Sequence, residues 1–252
     1  MARTAEEILE GMRRNALRGS VREGHGTWLR QRGEIRLGSG SWAPFRAEQR
    51  FNALDLGFRW VARARMAPLL HATVTDAFEG GRGSFEVRMF GFPIQRAAGP
   101  EFDTSELLRF LAELPWCPLA FTHPALTWTV VDERTLRVDL ERGSVRVGLQ
   151  LEFDEQGRVR GMKAESRPRP AGRAFIPTPW GGRYGEYREY GGMQMPASAE
   201  VFWVPPEGEL VYFQGRSSRL ACWARRSPKQ TRPVHVDEAS RIGCRWSRAS
   251  GC

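Results

Sequence analysis

Metal-ligand and redox spacings are missing from this sequence. Its four cysteines, Cys117, Cys222, Cys244 and Cys252, contain no C-x-x-C pair, which excludes an ordinary zinc site or a disulfide framework and leaves them as free thiols of a reducing compartment. The four histidines, His25, His71, His123 and His235, form no H-x-x-x-H or H-E-x-x-H pattern, so no metal site has local support. No G-x-S-x-G elbow is present, and Cys117 stands between Trp116 and Pro118 past an expected helix end, where a buried thiol fits better than a nucleophile. Gly80 to Gly83 lack the lysine and the helix start of a phosphate cradle and read as a hairpin turn. The expectation is no metal and no cofactor.

Long apolar runs are absent as well. The stretch from Leu114 to Phe121 is short and broken by Pro115 and Pro118, whereas a membrane helix needs about 20 apolar residues. The opening MARTAEEILEGMRR interleaves glutamates and arginines and lacks the uninterrupted apolar segment expected of a secretory signal. The cytoplasm is the expected compartment.

Charge of one sign is in excess, with a formal net charge of +9 and a pI near 10.2. A phosphate-binding face would follow if that charge were clustered on the body of the chain. It is not: nine basic residues against two acidic ones lie between Arg216 and Cys252, leaving 29 basic and 27 acidic residues elsewhere. Nucleic acid is therefore an unlikely partner. The segment 216–252 reads as a last strand remnant and a basic tail, either a disordered arm that touches acidic partners or sequence extraneous to the fold. Its unpatterned Trp and Cys favour the second.

What is present is period-two alternation. From Phe58 to Met66, Phe58, Trp60, Ala62, Ala64 and Met66 alternate with Arg59, Val61, Arg63 and Arg65, the pattern of a strand with one buried and one wet face. Further strands are expected over Gly33 to Gly38, Trp42 to Phe51, His71 to Glu79 and Ser84 to Phe90. A meander follows over Leu126 to Val131, Leu136 to Leu140, Val145 to Phe153 and Val159 to Ala164. Arg167 to Gly182 reads as a loop, and Glu186 to Tyr190, Ala199 to Val204 and Leu210 to Gln214 complete the set. Residues 1–18 suggest a short helix. Thr104 to Leu114 suggests a firmer one, with Asp103 as N-cap, Glu106 closing a capping box, a Leu107, Leu111, Leu114 stripe and Pro115 as its stop. The expected fold is mainly β (α+β): a curved antiparallel sheet or unclosed β-barrel covered by one or two helices. Residues 1–32 are expected to form a helix and linker and residues 33–215 the sheet domain with the inserted helix 104–114.

Three segments carry a resemblance: Trp42-x-Pro-Phe with Gly57-Phe58-x-Trp60-x-Ala62; Ser105 to Pro118; and Thr178-Pro-Trp-Gly-Gly with the strand Pro196 to Trp203. They resemble an uncharacterised bacterial domain family over about 33–215. Its fold is similar to lipoprotein carriers of the LolA type, which implies an open antiparallel barrel lidded by helices around an apolar cavity. No catalytic residue comes with that likeness.

Two readings of function follow. In the first, the concave face holds a lipid-like or other apolar small molecule, lined by Phe58, Trp60, Trp116, Trp128, Trp180, Tyr187 and Trp203, with Arg109, Glu113, Arg183 and Glu186 as a polar site. In the second, Asp76, Glu113 or Glu186 serves as an acid or base beside Arg109 or Arg183; this requires at least two of them to converge.

Overall fold

A computed structural model describes residues 4–16, 25–36, 40–172 and 174–223. The elements are α1 (Ala5–Ala16), β1 (Gly26–Arg36), β2 (Trp42–Asn52), β3 (Gly57–Ala67), β4 (Leu70–Glu79), β5 (Arg82–Met89), β6 (Phe92–Ala98), α2 (Pro100–Ala112), β7 (Leu126–Asp132), β8 (Thr135–Arg142), β9 (Val145–Phe153), β10 (Val159–Ala171), β11 (Ala174–Tyr190), β12 (Met193–Trp203) and β13 (Leu210–Trp223). All thirteen strands join one antiparallel sheet in the order β6-β5-β4-β3-β2-β1-β13-β12-β11-β10-β9-β8-β7. Hairpins account for every neighbour except β1 with β13, which the two halves of the chain form between them.

Helix α2 packs on β3 to β6 from one half of this order and on β9 and β10 from the other. Strands far apart in the sheet therefore meet the same helix, and the sheet curls around it. Because β6 and β7 each end the order, the barrel stays open, as a sheet of this breadth commonly does when it cannot lie flat. α1 packs beside β12 and β7.

Alternation decides which face turns inward. In β2, Ala43, Phe45, Ala47, Gln49 and Phe51 are buried and their neighbours are not; in β3, Phe58, Trp60, Ala62 and Ala64 are. Leu136, Val138 and Leu140 in β8 and Val147, Leu149, Leu151 and Phe153 in β9 line the other flank. These side chains belong to one hydrophobic core with Leu107, Leu111 and Leu114.

The structure corrects several expectations. α2 starts at Pro100, whose missing N–H suits a first helical position, and no side chain caps it. The expected capping box does not form: Asp103 accepts from the Gly83 amide (2.7 Å) and Arg82 (3.0 Å), pinning α2 to the β4–β5 turn. Pro115 does not simply end the helix, since two 3-10 turns follow, Leu114–Trp116 and Pro118–Ala120. The expected loop 167–182 is mostly the β10–β11 hairpin, and β6 was not anticipated. β1 begins at Gly26 and pairs with β13 as far as Trp223. The readings placed on 17–24 and on the tail beyond Trp223 lie outside the described residues.

Candidate functional site

Gln49, Trp60 and Asp76 stand opposite one another on β2, β3 and β4, all on the inward face. Above them α2 presents Glu106 and Arg109, followed by Glu113 just past its end. Arg109 Nε donates to Glu113 Oε1 (3.0 Å), Arg109 Nη1 pairs with Asp76 Oδ2, and Gln49 Nε2 donates to Glu113 Oε2 (2.5 Å). The Arg109 guanidinium also lies over the rings of Phe58 (4.8 Å) and Trp60 (5.2 Å), and the Trp60 indole donates to Gln31 Oε1 (2.9 Å). A second arginine, Arg167 of β10, repeats the arrangement. It donates to Ser105 Oγ (2.9 Å) and Tyr212 OH (3.3 Å), pairs with Glu106 Oε1 (3.4 Å) and lies over Trp180 (4.2 Å) and Trp203 (5.5 Å).

Two arginines and three carboxylates are thus enclosed between α2 and the sheet, with side-chain exposures of 15% or less. Burial and the neighbouring Asp76 charge hold the Glu106 pKa well above the ordinary range, against the pull of Arg167 and Arg109. Asp76 Oδ1 and Glu106 Oε2 are buried with no hydrogen-bond partner among the described residues. Arg109 pairs with Asp76 and Glu113, and Arg167 with Glu106, so each buried charge has an opposite charge beside it, as a low-dielectric interior requires. Burial also raises Glu113, opposed by Arg109 and Gln49. It works against the Arg109 charge too, but Glu113, Asp76 and Glu106 outweigh it.

The aromatic residues expected to line the concavity separate into two groups. Phe58, Trp60, Trp180 and Trp203 are buried under α2 around the two arginines. Trp116, Trp128 and Tyr187 instead fasten chain segments: their polar atoms donate to the carbonyls of Pro196 (2.8 Å), Phe121 (3.1 Å) and Val159 (2.7 Å). Tyr187 faces a small hollow against Met12 and Asn15 of α1. Burial pushes the Cys117 thiol up to about 12.

The polar candidates also divide. Arg109 and Glu113 meet, and Asp76 meets them. Arg183 and Glu186 are not in the concavity: Arg183 pairs with Glu200 (2.7 Å) and Glu209 (2.5 Å), and Glu186 with Arg216 and Arg188, all on the outer face. There, Arg32, Arg46, Arg183 and Arg216 border an open groove of about 730 Å³. Alternation explains the split, since Trp180 and Tyr184 point inward and Arg183 outward.

Sequence reasoning missed Gln49, Arg167, Tyr212 and the half-buried row Ile35, Phe213, Val201, which stand opposite one another on β1, β13 and β12. Gln49 and Asp76 carried a usable signal, being polar residues in phase with apolar stripes. Arg167 carried none, because it fell in an expected loop.

Two solved structures are similar in architecture. A LolA superfamily protein from Nitrosomonas europaea is 12% identical with a TM-score of 0.48, over 90% of this chain and 96% of that one. A candidate outer membrane lipoprotein-sorting protein domain from Vibrio parahaemolyticus is 9% identical with a TM-score of 0.42, over 86% and 93%. No curated protein matches the sequence. Residues 22–215 match a family described as a family of unknown function, DUF6544, and the chain belongs to that family.

Proposed function

We propose that this protein is a binding module whose concave face takes up an apolar or amphipathic molecule such as a lipid, with α2 as the element that moves aside to admit it. The observation that carries the reading is the composition of the interface between α2 and the sheet. Arg109 with Asp76, and Arg167 with Glu106, span that interface beside the leucines. Removing ions from water offsets most of their attraction, and they regain hydration when the helix parts from the sheet. Such an interface opens at a smaller cost than an all-apolar one. Beside it, the half-buried row of Ile35, Phe213 and Val201 extends the apolar surface of the floor. Titration with cis-parinaric acid, a polyene fatty acid that brightens in apolar sites, tests the reading. A saturable rise that Phe213→Glu weakens supports it; no saturable rise in the intact chain overturns it.

A second reading has its own observation. Asp76 and Glu113 converge on Arg109, and a carboxyl raised by burial, as Glu113 is, occurs where proton transfer is needed. In that reading Glu113→Gln abolishes a turnover that the intact chain performs on a carbonyl or ester substrate, while parinaric acid binding persists. Parallel loss of binding and stability without any turnover contradicts it.

A further inference from the structure

The turns β3–β4 and β5–β6 lie side by side, because β4 pairs with both β3 and β5. Both tips are apolar and open to solvent. Leu69 is 93% exposed at one, Phe90 is 79% and Phe92 72% exposed at the other, and Met66 and Ile94 flank them. Phe90 and Gly91 form a two-residue turn with φ of 50° and 83°, left-handed positions that favour Asn-Gly and that a bulky side chain rarely occupies. A phenyl group held outward in that conformation serves no packing within the chain.

Charge around the tips is mostly positive. No Asp or Glu occurs from Arg63 to Thr75 or from Val87 to Pro100, whereas Arg63, Arg65, Arg88 and Arg96 do. Arg88 and Arg96 share Glu86; Arg63 and Arg65 have no carboxylate within 4.0 Å among the described residues. Arg63 also continues a row across the outer face, since Arg216, Arg32, Arg46 and Arg63 stand opposite one another on β13, β1, β2 and β3. Like charges directly opposite weaken a sheet, so the row has a cost that an anionic surface relieves.

From this juxtaposition we infer that the protein docks on an anionic lipid bilayer: Leu69, Phe90 and Phe92 enter the boundary between headgroups and acyl chains, and Arg63, Arg65 and Arg88 meet lipid phosphates. Apolar insertion combined with electrostatic attraction is what holds peripheral proteins at that depth. The inference does not depend on what the concave face binds.

Cosedimentation of the intact chain with vesicles tests it. Binding is expected to vesicles of phosphatidylcholine with phosphatidylglycerol and to be much weaker on phosphatidylcholine alone. The variant L69S/F90N, in which Asn suits the left-handed turn and both sites are exposed, is expected to fold normally and bind about tenfold or more weakly. R63Q/R65Q should lose the preference for anionic vesicles. Three results overturn the inference: no binding to anionic vesicles, binding by L69S/F90N equal to the parent's, or a concentration-dependent dimer that L69S/F90N dissolves, which would assign the tips to a second copy of the chain.

Discussion

The guanidinium of Arg167 lies 4.2 Å over the ring of Trp180, and the same guanidinium pairs with Glu106 on the helix above. One side chain therefore touches both the floor of the concavity and its cover. Its removal leaves the partly satisfied cluster with an uncompensated negative charge. Arg167→Ala is expected to destabilise the protein by about 3–5 kcal/mol in urea unfolding, whereas the double variant Arg167→Met/Glu106→Leu recovers most of that loss. Equal destabilisation by both would show that shape, not charge balance, governs the site.

The Glu106 carboxyl is raised above its ordinary value of 4.5 in the folded chain, so the folded state holds this proton more tightly than the unfolded state does. The linked stability is fully present below about 4.5 and is lost as pH rises from there toward the folded pKa. Glu113, raised by burial, acts in the same direction. Urea midpoints measured upward from pH 4.5 should fall more steeply in the parent than in Glu106→Gln, which carries no titrating proton.

Leu111 is fully buried between α2 and the sheet, while Leu69 is almost fully exposed. Leu111→Ala is expected to cost about 2–5 kcal/mol and Leu69→Ala less than about 0.5 kcal/mol. Comparable losses at both positions would show that the Leu69 tip is covered in solution.

Cys117 is buried with its thiol pKa pushed up to about 12. Iodoacetamide at pH 8 should leave it unmodified in the folded protein and alkylate it in urea, because the thiolate is the reactive form. Peptide mapping reads both states.

Period-two stripes made the sheet legible wherever one face is buried and the other wet, as in Phe58 to Ala64. They also marked Asp76 by its phase. The tips of β10 and β11 were hidden because Pro168, Pro170 and Pro177 read as loop signals, although these residues pair with each other across the hairpin or stand at its end. α2 is legible from its leucines, yet local spacing makes Asp103 a cap, whereas Asp103 accepts from the Gly83 amide, a contact across 20 positions of sequence. The same spacing places Glu106 in that cap, whereas it pairs with Arg167 of β10. Local rules see only neighbours in the chain, and the cluster joins β2, β4, α2 and β10. Arg183 and Glu186 looked alike to the interior residues because the residues around Gly185 interrupt the alternation that settles their facing; Glu186 itself has a φ of 51°.

Hydrogen–deuterium exchange of the intact chain with and without a saturating long-chain fatty acid tests the central claim most directly. The account predicts altered exchange concentrated in α2, residues 100–112, and in the strand segments carrying Ile35, Val201 and Phe213. An exchange pattern unchanged by the fatty acid at every peptide would contradict it.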